Sequence, residues 1–231
     1  MVQENGSKLP EILPVLRSKK EAKQFYDRVS RVYDCFIGIF ERKYAGTALR
    51  FLSIKEGETV LEIGFGSGRC LKRIAESIGK TGKVYGIDIS SGMLEVTTRR
   101  LEKAGVIDRV ELCCGDAAGL PYQDNVFDAV FMSYTLELFD TPEVPKVLKE
   151  VRRVLEEKGR LGVIGISREN GESKALGLYE WVHQKWPKYV DCRPIYLEQS
   201  LRDAGYEIRR KEKLKLLRLL PLEIVVAVNR V

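Results

Sequence analysis

Residues 60–68 read Val60-Leu61-Glu62-Ile63-Gly64-Phe65-Gly66-Ser67-Gly68, an apolar strand pattern that runs straight into glycines at alternate positions. No other stretch narrows the fold as much. A short aliphatic run ending in such a turn opens a strand, turn and helix unit of an α/β sheet. The glycines let the backbone turn tightly and approach a ligand with no Cβ in the way. Their spacing also discriminates between ligands. A dinucleotide fingerprint needs G-x-G-x-x-G, which would put a glycine at position 69. That position is Arg69, so the site is nucleotide-shaped without being a dinucleotide site.

Two further segments make the pattern specific. Lys83-Val84-Tyr85-Gly86-Ile87-Asp88 is a short strand ending in a carboxylate, the position from which α/β folds hold ribose hydroxyls. Asp88 is the ribose candidate, and its charge disfavours a 2′-phosphate. Ile89-Ser90-Ser91-Gly92-Met93 then opens a helix that Ser90 or Ser91 can cap. Val110-Glu111-Leu112-Cys113-Cys114-Gly115-Asp116-Ala117 is a third strand with an acid at its carboxyl end, Asp116, which can accept from an adenine amino group or serve simply as a turn residue.

Hydrophobic periodicity extends this into a fold. Helical pattern fills roughly 20–52, with a break near Gly38. Strand 58–63, helix 68–78, strand 83–87, helix 91–104, strand 109–114, strand 126–133, helix 141–156 and strand 159–166 then alternate as a doubly wound parallel sheet demands. Strands 206–214 and 222–229 are separated by too few residues for a crossover helix, so they form an antiparallel hairpin. The fold class is α/β, a mostly parallel seven-stranded sheet with a final antiparallel strand and an N-terminal helical cap. At 231 residues one domain is the default: cap 1–52, core 53–167, substrate-proximal segment 168–200 and C-terminal helix and hairpin 201–231. The five cysteines include no C-x-x-C pair, which argues against a zinc site or disulfide framework. A polar start, Met1 to Leu9, and apolar stretches too short to span a bilayer place the chain in the cytoplasm.

The run E-x-G-x-G-x-G, with Glu62 two residues before Gly64, resembles motif I of the class I S-adenosylmethionine-dependent methyltransferases. Gly115-Asp116-Ala117-Ala118-Gly119-Leu120-Pro121-Tyr122-Gln123-Asp124-Asn125-Val126-Phe127-Asp128 is similar to the G-D/N-A-x-x-L-P-F-x-D-x-x-F-D run of the ubiquinone/menaquinone biosynthesis group. Glu150-Val151-Arg152-Arg153-Val154-Leu155 matches that group's E-x-x-R-V-L. Phe25-Tyr26-Asp27 through Tyr33-Asp34 is similar to an N-terminal segment shared with bacterial phosphatidylethanolamine N-methyltransferases. The resemblance implies S-adenosylmethionine as cofactor, held by Glu62, Gly64, Phe65, Gly66, Ser67, Gly68 and Asp88. It also implies that Ile89 and Met93 wall the adenine, with Asp116, Ala117 and Ser133 nearby, and that Tyr26 and Tyr33 close over the methionine end. Where quinone-type members carry an asparagine-containing segment, this chain has Ser133-Tyr134-Thr135-Leu136-Glu137. The acceptor is therefore left open between a quinone-precursor ring carbon and a phospholipid amine.

The sulfonium is an activated methyl donor, so a general base is needed only for an acceptor protonated at working pH. The catalytic candidates are Tyr134 and Glu137, just past the fourth strand, and His183, the sole histidine, in the aromatic-rich stretch Leu178-Tyr179-Glu180-Trp181-Val182-His183. Bland roles compete: a helix-face position for Glu137, a half-buried helix residue for His183, and a loop-stabilising ion pair for Asp191 with Arg193. Net charge is +6, with basic residues concentrated at Arg17 to Arg31 and Arg209 to Lys215. Such stretches suit transient contact with an anionic membrane holding a lipid-like acceptor, or merely solvate the surface. No RNA-binding module is present. A macromolecular methyltransferase and a non-catalytic cofactor-binding protein are the competing classes.

Overall fold

A computed structural model describes residues 12–30, 38–168, 173–187, 190–216 and 219–229, with backbone alone over 38–43. Its strands are β1 (Thr59–Ile63), β2 (Lys83–Asp88), β3 (Val110–Cys114), β4 (Phe127–Ser133), β5 (Leu155–Ile166), β6 (Tyr206–Leu216) and β7 (Leu220–Asn229). They form one sheet in the order β3-β2-β1-β4-β5-β7-β6, and β7 alone runs antiparallel to its neighbours. The sheet order reverses between β1 and β4, the switch point beyond which such folds bind ligands.

The helices are α1 (Lys19–Val29), α2 (Gly38–Leu52), α3 (Arg69–Ser77), α4 (Ser91–Ala104), α5 (Val144–Val154), α6 (Lys174–Lys185) and α7 (Leu197–Asp203). Central strands covered on both faces read as continuous apolar runs, as in Leu61 and Val60 or Val130 and Phe131, whose alternate side chains enter opposite cores. One core gathers Ala48 and Leu52 of α2, Leu71 and Ile74 of α3 and Leu101 of α4; the other gathers α5 and α7. In α5, Val144, Val147, Leu148, Val151 and Val154 are buried at the spacing of a single helix face.

Several boundaries move. The helix expected over 141–156 stops at Val154, and β5 begins at Leu155 rather than 159, because Leu155 pairs with Phe127. The short helix expected within 201–231 lies earlier, at Leu197–Asp203. The anticipated cap over 1–52 divides by role. Among the described residues, those from Val15 through α1 lie over the carboxyl edge of the sheet, whereas α2 packs against β4, β5 and β7.

The cap is seated on the sheet by Asp27. Its carboxylate accepts from the Gly92 N–H at 2.9 Å, the Ser90 hydroxyl at 2.7 Å and the Lys23 ammonium at 2.8 Å, thereby joining α1 to the N-terminus of α4. A Cβ on Gly92 would lie 2.9 Å from the Asp27 Cα and carbonyl oxygen, so glycine is what allows the two helices to approach this closely. Burial tends to raise the Asp27 carboxyl; these donors outweigh it and hold the group at about 2, below its ordinary 3.8. Stabilisation from a carboxyl depressed in this way is complete above its unfolded value and is lost as pH falls through its folded one. We predict that Asp27→Ala costs about 1–3 kcal/mol at neutral pH in urea unfolding. The difference from the parent should stay constant from neutral pH down to about 5 and narrow below 3.8.

Candidate active site

A cavity of about 740 Å³ lies over the carboxyl ends of the parallel strands, beneath α1. The three glycines at its floor are required for different reasons. Gly64, at φ 71°, packs so tightly on the β4 end that a Cβ would sit 2.4 Å from Thr135 Oγ1. Gly68, at φ 74°, would meet Thr97 at 2.5 Å. Gly66, at φ 50°, has nothing within 4 Å of its missing Cβ, and it lines the cavity. Packing fixes the outer two, and the middle one opens a cradle of the kind a ligand backbone-approach site needs.

Asp88 holds that cradle in place. One carboxylate oxygen accepts from the Gly66 N–H at 2.8 Å and the other from the Ser90 N–H at 2.9 Å. Burial raises its pKa, while these backbone donors act against the rise. Thr97 donates to the Gly66 carbonyl at 2.8 Å, and Ser90 caps α4 by accepting from the Met93 N–H at 3.0 Å. Asp116, past the end of β3, accepts from the Ala118 N–H at 3.0 Å and from Lys19 at 2.6 Å. Burial would raise the Asp116 carboxyl, but Lys19 and the N–H hold it below its ordinary value. Lys19 also pairs with Glu143 at 2.5 Å, so α1 is latched to both the β3 loop and the start of α5.

A second set of ties closes the opposite end. Asp191 pairs with Arg17 and accepts from the Tyr26 hydroxyl at 2.5 Å, and Arg17 lies 4.6 Å over the Phe25 ring. Arg193, fully buried, donates to the Leu13 carbonyl and to Thr141 Oγ1, both at 2.9 Å, and to the Phe139 carbonyl. The expected Asp191 to Arg193 pairing is thus replaced by two separate ties to the N-terminal segment. Over β4 to β6 the lining turns apolar, with Leu138, Phe139, Ile166, Val190 and Leu216. Tyr179 of α6 joins them, its hydroxyl donating to the Cys192 carbonyl at 2.8 Å. Tyr134 enters from a left-handed backbone at φ 51°, uncommon for a side chain of its size and a mark of an imposed conformation.

The predicted residues divide accordingly. Gly64, Gly66, Asp88, Ile89, Met93, Asp116, Ala117, Ser133, Tyr26 and Tyr134 line the cavity together. Glu62, Phe65, Ser67 and Gly68 lie behind its wall. Glu62 is buried beneath the turn, where desolvation and nearby Asp88 push its carboxyl well above the usual range despite a bond from the Leu71 N–H. Phe65 fills the space beside Gly86, and Ser67 is held by Arg100. Two catalytic candidates need correction. Glu137 is fully buried rather than on a solvated helix face, and it accepts from the Ile166 N–H at 3.2 Å. His183 is buried and does not itself line the cavity; its Nδ1 donates at 2.7 Å to the carbonyl of Val190, which does. Tyr33 lies outside the described residues. Sequence reading missed Arg17 and Lys19 as site residues, taking them for surface charge. The available signal was the Ser18 and Glu21 capping box, which starts α1 at the cavity mouth.

The arrangement fits a nucleoside ligand: an open glycine, an acid at each of two neighbouring strand ends, and Ile89 and Met93 as an apolar wall. Among the described residues, no group of three or more potential ligands is placed to hold a metal ion. Residues 60–159 match the family model described as a methyltransferase domain. The ubiquinone/menaquinone biosynthesis C-methyltransferase UbiE of Hydrogenovibrio crunogenus is 32% identical over 200 residues, covering 82% of this chain and 78% of the relative. The 2-phytyl-1,4-naphtoquinone methyltransferase of Trichormus variabilis is 30% identical over 156 residues, covering 66% and 67% respectively. Among solved structures, the [4+2]-cyclase SpnF superposes with a TM-score of 0.77 at 20% identity, over 96% of this chain and all of the other. A SAM-dependent methyltransferase from Aquifex aeolicus gives a TM-score of 0.61 at 24% identity, over 93% of this chain and 100% of the other. The chain belongs to the class I S-adenosylmethionine-dependent methyltransferases, in the family of the ubiquinone/menaquinone biosynthesis C-methyltransferases, and is a small-molecule methyltransferase.

Proposed function

We propose that the acceptor is the ring of a quinone precursor bearing an apolar tail, methylated at a ring carbon. The observation carrying this reading is the change of lining across the cavity, from acids and glycines over β1 to β3 to Leu138, Phe139, Ile166, Tyr179 and Leu216 over β4 to β6. A flat, apolar acceptor suits the second half. Relatives named for ubiquinone, menaquinone and phytyl-naphthoquinone methylation support it. A phospholipid amine draws no such support. A cavity of about 740 Å³ is in the range of sites that enclose drug-sized ligands, roughly 300–1,000 Å³, and leaves space for donor and acceptor together.

S-adenosylmethionine supplies an electrophilic methyl group on a positively charged sulfur. The chain positions and shields. Each Asp88 oxygen already accepts one backbone N–H and keeps lone-pair capacity for a ribose hydroxyl. With the cofactor bound, Asp116 would accept from the adenine amino group, and Ile89, Met93, Ala117 and Ser133 would wall the base, with Glu62 shaping the turn from below. Tyr26 closes the methionine end. Its hydroxyl and Asp191 give an acceptor hydroxyl something to bond, and Tyr134 steers the ring toward the methyl group. Glu137 and His183 act through packing, as supports for β5 and for the 190–193 segment. Orientation of this kind can supply on the order of 7–11 kcal/mol of a barrier, and α1 excludes water.

Incubation with methyl-labelled cofactor and separate demethylated quinol, phosphatidylethanolamine and RNA fractions tests the reading. Label should enter the quinol alone; label only in another fraction, or in none, overturns it. Asp88→Ala should weaken cofactor binding by about 1–3 kcal/mol in calorimetry, the value of hydrogen bonds to a charged group. Unchanged affinity would refute the ribose assignment. His183→Ala should lower the melting temperature while turnover per folded molecule stays within about two-fold, as a group outside the reacting shell requires.

A further inference from the structure

Several of the basic residues that the sequence offers as membrane contacts are paired or stacked within the fold. Arg17 and Lys19 hold Asp191 and Asp116, Lys23 holds Asp27, Arg209 pairs with Glu207, Lys211 pairs with Glu198, and Arg210 stacks 3.4 Å over Phe51. A different surface is left. We propose that the outer face of α6 is a docking surface for an anionic membrane, set on the wall of the acceptor cavity.

Four residues of α6 carry it. At 100° per residue, Lys174, Leu178, Trp181 and Lys185 fall within about 60° of arc, and Leu176 and His183 occupy the opposite, buried side. Leu178 is 62% exposed and Trp181 48% exposed. Trp186, 50% exposed, meets Trp181 edge to face at 5.5 Å, and Leu219, 65% exposed, caps the turn into β7, against which α6 packs. Large apolar residues this exposed and this close together mark an interaction surface rather than ordinary scatter.

Charge selects the partner. The single carboxylate of α6, Glu180, is paired with Arg168. The helix therefore presents Lys174 and Lys185 at the two ends of its apolar stripe. Tryptophan and leucine flanked by lysine is the composition of a helix lying in the headgroup region, with the amphipathic indoles at the interface and the ammonium groups on anionic lipid. The inner side of the same helix places Tyr179 in the cavity, beside Leu216 from the end of β6. A bilayer under α6 would thus adjoin the apolar half of the cavity, giving a tailed acceptor a short path out of the membrane.

The chain contains two tryptophans, and both lie in this patch, so selectively excited tryptophan fluorescence reports on it alone. The probe is cofactor-free protein with phosphatidylcholine vesicles containing ~30% phosphatidylglycerol, a composition with a negative surface potential. Emission should shift to the blue, be quenched by bromine-labelled acyl chains and revert at high salt. Lys174→Glu with Lys185→Glu should weaken partition by about ten-fold or more, and Trp181→Ala should also weaken it in co-sedimentation, with cofactor affinity retained in both as the check on folding. An absent shift, an equal shift on purely zwitterionic vesicles, or a dimer in sedimentation that Trp181→Ala dissociates would each overturn the proposal. No acceptor enters this experiment, so its failure leaves the quinone-precursor reading untouched.

Discussion

The carboxylate of Asp88 lies between the glycine turn after β1 and the first turn of α4, accepting a backbone N–H from each. Burying such a charge is costly unless hydrogen bonds compensate, and here the compensation is also the architecture. The bond to Gly66 fixes the height of the cradle, and the bond to Ser90 fixes where α4 starts. Ser90 in turn caps α4 and donates to Asp27, so the position of α1 over the cavity is inherited from the same carboxylate. Behind the cradle, the clash radius around Gly64 and Gly68 leaves no play against Thr135 and Thr97. Floor, wall and cap are thus coupled through contacts a few ångströms long.

The cap itself is held differently from the floor. Lys19 with Asp116 and Glu143 is about two-fifths exposed on the lysine side, so solvent screens these pairs and each contributes little to stability. Arg193 stands at the other extreme. Its guanidinium is buried, burial pushes its pKa down, and Asp140 and Glu137 oppose that shift. Removing a carbonyl acceptor from such a group would leave buried donors unmet. The N-terminal segment is consequently firm near Leu13, where Arg193 grips it, and weakly held at Lys19, directly over Asp116.

What the sequence made legible was what local chemistry determines. Alternating glycines after an aliphatic run, and an acid closing each of two later strands, place Gly66, Asp88 and Asp116 with no knowledge of the rest of the fold. Residues whose surroundings come from distant segments were opaque. Glu137 reads as polar and exposed in a linear pattern, yet it is buried because β5 passes beside it and Gly165 leaves room for its carboxylate. His183 shares the inner face of its helix with Tyr179 one turn earlier, but it lies behind Val190, to whose carbonyl it is bonded, while Tyr179 and Val190 line the cavity. The start of β5 was misplaced for another reason: Val154 and Leu155 are equally apolar under a helical and an extended reading, and only the pairing of Leu155 with Phe127 decides between them.

The placement of charge relative to apolar surface also decides which side of the molecule a hydrophobic acceptor can come from. Along α1, Lys19 and Lys23 are turned onto Asp116 and Asp27, on the side of the cavity where Asp88 and the glycine turn lie. That end is ringed by ion pairs, and an apolar tail crossing it would desolvate them without replacement. On the β4 to β6 side, the cavity is bounded by Leu138, Ile166, Tyr179 and Leu216, and the surface outside Tyr179 is Leu178 and Trp181. A tailed ring entering there keeps apolar surface against apolar surface throughout, so the donor and the acceptor are best served by opposite ends of a single cavity that α1 spans.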